Sequence, residues 1–278
     1  MKNYRAKKSL GLKTHFKFAR AKKTLGQNFL KSQPALRKII EAGEIKKDDV
    51  ILEIGPGKGA LTEKLLACSF QLVAVEKDND LYEMLKIKYR KQIAEGKLIL
   101  VHDDILNFEI ESYKPLAKSY KLIANIPYNI TGAILKKFLT EKHQPERMVL
   151  LVQREVAERI VATPRRGGAS GKESILSISV KAYGEPKIVM KVPKRYFSPS
   201  PKVDSAVIVI KNISRKLFKE NAIEEDDFWQ IVKMGFAHKR KKLSGNLKLL
   251  GKASQLAPFK DKRAENLTLL DWIALSRP

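Results

Sequence analysis

Between residues 50 and 152 the chain places five apolar runs of strand length, at 50–54, 71–75, 98–101, 121–124 and 148–152. The segments between them, 60–67, 81–94 and 131–139, carry apolar residues at helical spacing. Runs that are apolar throughout, instead of alternating, suit strands covered on both faces. The pattern predicts a doubly wound α/β domain built on a parallel sheet. Two further strands, 187–192 and 205–210, are joined by the proline-rich connection PKRYFSPSPKVD with no helix between them. They are expected to pair antiparallel as a hairpin at the sheet edge. Beyond Asn212 the strand signals stop, and the stretch 228–243 opens a helical and strongly basic unit.

This divides the chain into a basic extension (1–21), an α/β domain (22–212) and a small helical basic domain (213–278). The extension holds Lys2, Arg5, Lys7, Lys8, Lys13, Lys17 and Arg20 and no acidic residue. It reads as a disordered arm that binds phosphates; a mitochondrial transit peptide is the competing reading of the same composition. The segment 164–172, rich in glycine and charge, reads as a flexible insertion. The 278 residues carry 55 Lys+Arg against 30 Asp+Glu, a formal net charge of +25, so the expected partner is a polyanion, nucleic acid before an anionic membrane. No apolar run approaches the roughly 18–20 residues of a membrane-spanning helix, and a soluble cytoplasmic chain is expected. Cys68 is the one cysteine, and His15, His102, His143 and His238 lack ligand spacing, so neither a disulfide nor a metal site is implied.

The chemistry sits where strands end. The first run leads into EIGPGKGALT, whose Gly55, Gly57 and Gly59 precede a helix. Glycines there permit positive φ angles and let backbone N–H groups approach a ligand at the carboxyl edge of a sheet. As Gly55-x-Gly57-x-x-Ala60 the turn also satisfies the dinucleotide fingerprint. A nicotinamide-dependent dehydrogenase is therefore a rival at this point, and so is a plain tight turn. Glu76 ends the second strand, where a carboxylate can accept from both hydroxyls of an adenosine ribose, in NAD and S-adenosylmethionine alike. Asp104 ends the third, either to accept from an adenine amine or to cap a helix, with Asp103 as a second carboxylate beside it.

The fourth strand separates the cofactors, because it ends in Asn125-Ile126-Pro127-Tyr128. An adenine exocyclic amine is a poor nucleophile, its lone pair being delocalised into the ring. The Asn125 side chain and the Ile126 carbonyl could accept its two hydrogens. Pro127 would fix the turn and Tyr128 would offer a ring face for the base. Hydride transfer has no use for this set, whereas amino-group methylation does.

These segments, with KKTLGQNFL, VEKD, VQREVAERIVA, FSPSPKVDSAV and FAHKRKKLSGNL, resemble the small-subunit ribosomal RNA adenine dimethyltransferase family over residues 22–247. The resemblance implies a Rossmann-like methyltransferase sheet, S-adenosylmethionine as donor, and two methylations of N6 on each of two adjacent adenosines near the 3′ end of small-subunit rRNA. It implies a partner in the small ribosomal subunit or its precursor, and action as a monomer is the simplest expectation for an enzyme docking on so large a particle. By position, Asn28 and Leu30 would border the methionine end of the donor, Gly55 its glycine loop, Glu76 its ribose and Asp104 its adenine. Asn125 would hold the target amine beside Tyr128, and Phe197 would face the base from the other side, unless it packs in the hairpin core. Lys239, Arg240, Lys241 and Lys242 would meet rRNA phosphates. The sequence departs from the family pattern in TPRRGGASGKES, in NITG and in the long basic extension. A large-subunit rRNA methyltransferase of the antibiotic-resistance type and a non-catalytic assembly or transcription factor share much of this pattern. The PKVDSAV hairpin and the basic C-terminal unit favour the small-subunit branch.

Overall fold

A computed structural model describes residues 21–69, 71–113, 119–164, 171–248 and 253–277. Most of the basic extension and the centre of the glycine-rich insertion lie outside these residues. The five apolar runs form strands β2 (Val50–Ile54), β3 (Gln71–Glu76), β4 (Leu98–His102), β5 (Lys121–Asn125) and β6 (Arg147–Gln153), and a two-residue strand, β1 (Phe29–Leu30), precedes them. Three more follow: β7 (Glu185–Val192), β8 (Phe197–Ser198) and β9 (Ser205–Lys211). Seven of these make one sheet in the order β4-β3-β2-β5-β6-β9-β7. Its first five strands are parallel, whereas β9 runs antiparallel to both neighbours. The expected hairpin thus closes one edge, β7 outermost, with a bulge between Ile188 and Met190.

Burial explains the uninterrupted apolar runs. Leu52 and Ile54 join the apolar cluster on one face of the sheet, while Ile51 joins the cluster on the other. Leu122 and Ala124 against Ile123 repeat the division one strand over. Among the helices that cover the faces, Gln33–Gly43 starts at Ser32, whose hydroxyl accepts from Ala35 N–H at 3.3 Å, and buries Ala35, Leu36 and Ile39.

The C-terminal helices Lys216–Glu220, Glu225–Gly235 and Leu269–Ser276 bring Phe218, Phe228 and Trp272 into the same apolar cluster as Ile178 and Tyr183. Polar contacts tie this junction: the Tyr183 hydroxyl donates to Glu225, Trp229 Nε1 donates to the Tyr183 hydroxyl at 3.0 Å, and Arg215 Nε donates to Glu225 Oε2 at 2.9 Å. The helix expected to run through the basic segment instead stops at Gly235. Trp272 packs on Gly235, and Asn246 Nδ2 donates to the carbonyls of Gly235 at 2.6 Å and His238 at 3.2 Å. Lys239 to Lys242 therefore occupy a turn. Among the described residues no helix is long and apolar enough to cross a membrane.

Candidate active site

Parallel strands send their carboxyl ends to one edge, and the ends of β2, β3 and β5 surround a cavity of about 600 Å³. Ligand pockets of small-molecule size span about 300–1,000 Å³. Gly55, Gly57, Glu76, Asp103, Asp104, Asn125, Ile126, Pro127 and Tyr128 all line it. Gly55 has φ +62, and a Cβ there would meet nothing within 4 Å, so its backbone faces open space. Gly59 has φ +78 and sits against Tyr89, whose hydroxyl donates to its carbonyl at 2.8 Å. It shapes the turn and does not line the cavity.

Glu76 is 4% exposed. One carboxylate oxygen accepts from Gly57 N–H at 3.0 Å and the other from Asp78 N–H at 2.9 Å. Burial pushes its carboxyl above the ordinary value despite these bonds. Each oxygen retains a second lone pair, so the pair can still accept from a diol. Asp104 Oδ2 is paired with Lys77 at 2.7 Å and Oδ1 accepts from Leu106 N–H at 3.0 Å. Burial raises its carboxyl but Lys77 and the backbone bond outweigh it, leaving it below the ordinary range. Asp104 thus holds its own turn while lining the cavity.

Residues 24–31 line the cavity as one continuous segment, held by contacts on either side. Lys22 Nζ contacts Asp78 at 2.7 Å and Asp80 at 2.8 Å, and Gln27 Nε2 donates to Asp78 at 2.9 Å. These hydrogen bonds hold the Lys22 ammonium up to about 12. At the other end β1 pairs antiparallel with β8, Leu30 opposite Phe197. This brings Asn28 and Leu30 to the cavity wall. Asn125 Nδ2 donates to the Asn28 carbonyl at 3.1 Å, so the amide presents Oδ1 as the acceptor for a ligand. The Tyr128 hydroxyl lies 2.5 Å from Ser205 Oγ.

Of the two readings of Phe197, core packing is the one the structure matches. It is 3% exposed and packs in the apolar cluster with Leu30 and Val192. Strand alternation turns Ser198, not Phe197, toward the cavity. Sequence reasoning also missed Glu53, which is 1% exposed, lines the cavity, and leaves Oε2 without a hydrogen-bond partner. Burial pushes its carboxyl up to about 8, the Glu76 charge adding to the rise and Thr62 opposing it. A lone glutamate in the apolar run VILEI was the available signal. The basic run lies elsewhere: Lys242 pairs with Asp261 at 2.8 Å, while Lys239, Arg240 and Lys241 are exposed.

A dinucleotide-binding fold needs the glycine turn and the acidic strand end but has no use for an amide that holds an exocyclic amine. Here the antiparallel β9 enters beside β6, and an amide-proline-tyrosine turn follows β5. Fold and site together define a Rossmann-like methyltransferase. More specifically, the chain belongs to the ribosomal RNA adenine dimethylase family, whose model matches residues 18–275. It is 38% identical over 262 residues to the ribosomal RNA small subunit methyltransferase A of Dehalococcoides mccartyi strain CBDB1, covering 91% of this chain and 86% of that one. The protein of the same name from Fusobacterium nucleatum is 38% identical over 264 residues, covering 91% and 96%. Among solved structures, a dimethyladenosine transferase from Plasmodium falciparum superposes with a TM-score of 0.73 at 26% identity, over 89% of this chain and 95% of that one. The 23S rRNA methyltransferase ErmE does so with a TM-score of 0.69 at 25% identity, over 89% and 98%.

Proposed function

We propose that this chain dimethylates N6 of two adjacent adenosines near the 3′ end of small-subunit ribosomal RNA, using S-adenosylmethionine. The carrying observation is the Asn125 amide, whose donor side is tied to the Asn28 carbonyl so that Oδ1 is left for an amine. Family membership supports the substrate class.

The donor set fits S-adenosylmethionine: an open glycine turn at Gly55, a carboxylate with spare lone pairs at Glu76, a carboxylate pair at Asp103 and Asp104, and apolar walls from Leu81, Ile105 and Ile126. Bound there, it supplies a methyl group already activated on a sulfonium. Glu76 would hold the ribose, Asp104 the adenine, and Asn28, Leu30 and Gly55 the methionine end. The remaining work is positioning. A target adenosine must leave its stack and enter beside Tyr128. Asn125 Oδ1 and the Ile126 carbonyl would accept the two amine hydrogens, and Pro127, at φ −61, fixes the turn that presents that carbonyl. The same two acceptors stabilise positive charge growing on N6, an effect worth about 2–4 kcal/mol for one oriented polar group. The methylated nitrogen then releases its proton to water, with no dedicated base. After the first transfer one hydrogen remains, so one acceptor is released and the base turns for the second.

In this reading residues 22–212 carry the chemistry and 213–278 help grip the RNA, with the exposed Lys239, Arg240 and Lys241 contacting phosphates. The chain acts as a monomer on the small subunit or its precursor, in the cytoplasm. The test is methyl transfer from labelled donor to isolated small subunits and, separately, to large-subunit RNA. Dimethyladenosine in the small-subunit arm is expected; label only in large-subunit RNA, or in neither, contradicts the proposal.

A further inference from the structure

One polar contact at the cavity belongs neither to the donor cradle nor to the amine-holding pair. Tyr128 opens the short 3-10 helix Tyr128–Ile130 and lines the cavity. Its hydroxyl meets that of Ser205 at 2.5 Å. Ser205 begins β9, is 0% exposed, and lies opposite Gln153 of β6 and Val192 of β7. The next five residues of the strand, Ala206 to Ile210, are all apolar and buried. A hydroxyl in such surroundings is unfavourable unless it is hydrogen-bonded, and the Tyr128 phenol is the partner this one has.

Stacking on a base uses only the face of a ring, and a phenylalanine would supply that face equally well. The phenol therefore has a separate use. Burial raises it above its ordinary value while the Ser205 bond opposes the rise, so the phenol is neutral and the hydroxyl pair persists at neutral pH. The ring is thereby held at both ends. Its backbone end is fixed by Pro127 and by the bond from Thr131 Oγ1 to the Tyr128 carbonyl at 3.0 Å. Its far end is fixed by a strand hydrogen-bonded on both sides, a firmer support than any loop.

We propose that Ser205 is a positioning residue for RNA methylation, its hydroxyl holding the Tyr128 ring in the plane on which the target adenine stacks. This rests on the methyl-transfer reading of the same site. It also gives the β7-β9 hairpin a part in the reaction, since the chain that reaches Ser205 first places Ser198 at the cavity wall.

The experiment is a double-mutant cycle on the full chain with Tyr128→Phe, Ser205→Ala and the combination. Methyl incorporation into small-subunit particles gives kcat and KM for RNA, and calorimetry gives donor Kd. Each single change is expected to lower kcat/KM for RNA about five- to tenfold, as the loss of one hydrogen bond would. Donor Kd should move less than about twofold, and the combination should be no worse than either single variant. Wild-type RNA kinetics in Tyr128→Phe, effects that multiply in the combination, or donor affinity falling in parallel with RNA kinetics would each overturn the proposal, the last by making the contact merely structural. Should the unaltered chain itself transfer no methyl to small-subunit RNA, the methyl-transfer reading fails and this inference fails with it.

Discussion

Glu53→Gln probes the least expected group in the cavity. The folded chain holds this carboxyl at about 8, against an ordinary 4.5. Between those values the unfolded chain has released the proton while the folded chain still binds it, so stability falls as pH rises through this window and levels off above it. Full conversion of the shift gives a ceiling of about 5 kcal/mol. Relaxation and water entry around a buried ion reduce such penalties, and we expect about 2–4 kcal/mol. Glutamine has the shape of the protonated acid and no charge at any pH, so it removes the slope. It also ends the repulsion by which the Glu76 charge adds to the rise at Glu53. Urea unfolding of both proteins at about pH 5, 7 and 9 is the assay. The two should be equally stable near pH 5, and the variant should lead by a few kcal/mol near pH 9, or by roughly 2–4 °C in melting temperature for each kcal/mol. Parallel pH profiles would show that Glu53 is ionised in the folded chain and that the burial argument is wrong.

Loss of the Glu76 carboxylate in Glu76→Ala should weaken S-adenosylmethionine binding by about 2–3 kcal/mol, the range for hydrogen bonds to a charged group. Calorimetry showing tight NAD binding in its place would return the site to dinucleotide chemistry. Neutralising Lys239, Arg240 and Lys241 together should flatten the salt dependence of binding to small subunits, because fewer counterions are released. Neutralising Lys242 should add little, since Asp261 already pairs with it. An unchanged slope in the triple variant would reduce this turn to a solvated surface.

The sheet was legible because its strands announce themselves locally: runs such as VILEI and KLIAN are apolar enough to be buried on both faces. The glycine turn, Glu76 and the Asn125 to Tyr128 turn were legible because each sits at a strand end, where such residues have no packing reason to be. What escaped notice depends on distant partners. Strands β1 and β8 span two residues each, too few for any periodicity, and most of the large sheet lies between them in sequence. Their pairing decides that Phe197 turns inward. The Lys22 contact to Asp78 and the Ser205 contact to Tyr128 are likewise long-range, and neither residue type is distinctive in its own neighbourhood. The basic segment was misread because its charges continue past the helix end, whereas the apolar period stops at Gly235 under Trp272.

Asn125→Ala addresses the central claim, that the turn after β5 orients an adenine amine. Removing Oδ1 also removes the bond to the Asn28 carbonyl, so donor affinity must be measured beside turnover. Single-turnover methylation of small-subunit RNA at saturating donor gives the methyl-transfer rate, and calorimetry gives donor Kd. A loss of about 2–4 kcal/mol in transition-state stabilisation predicts a rate roughly 30- to 1,000-fold lower. Donor Kd should rise by no more than about tenfold, the equivalent of one hydrogen bond. A variant that dimethylates small-subunit RNA at the wild-type rate would contradict the account.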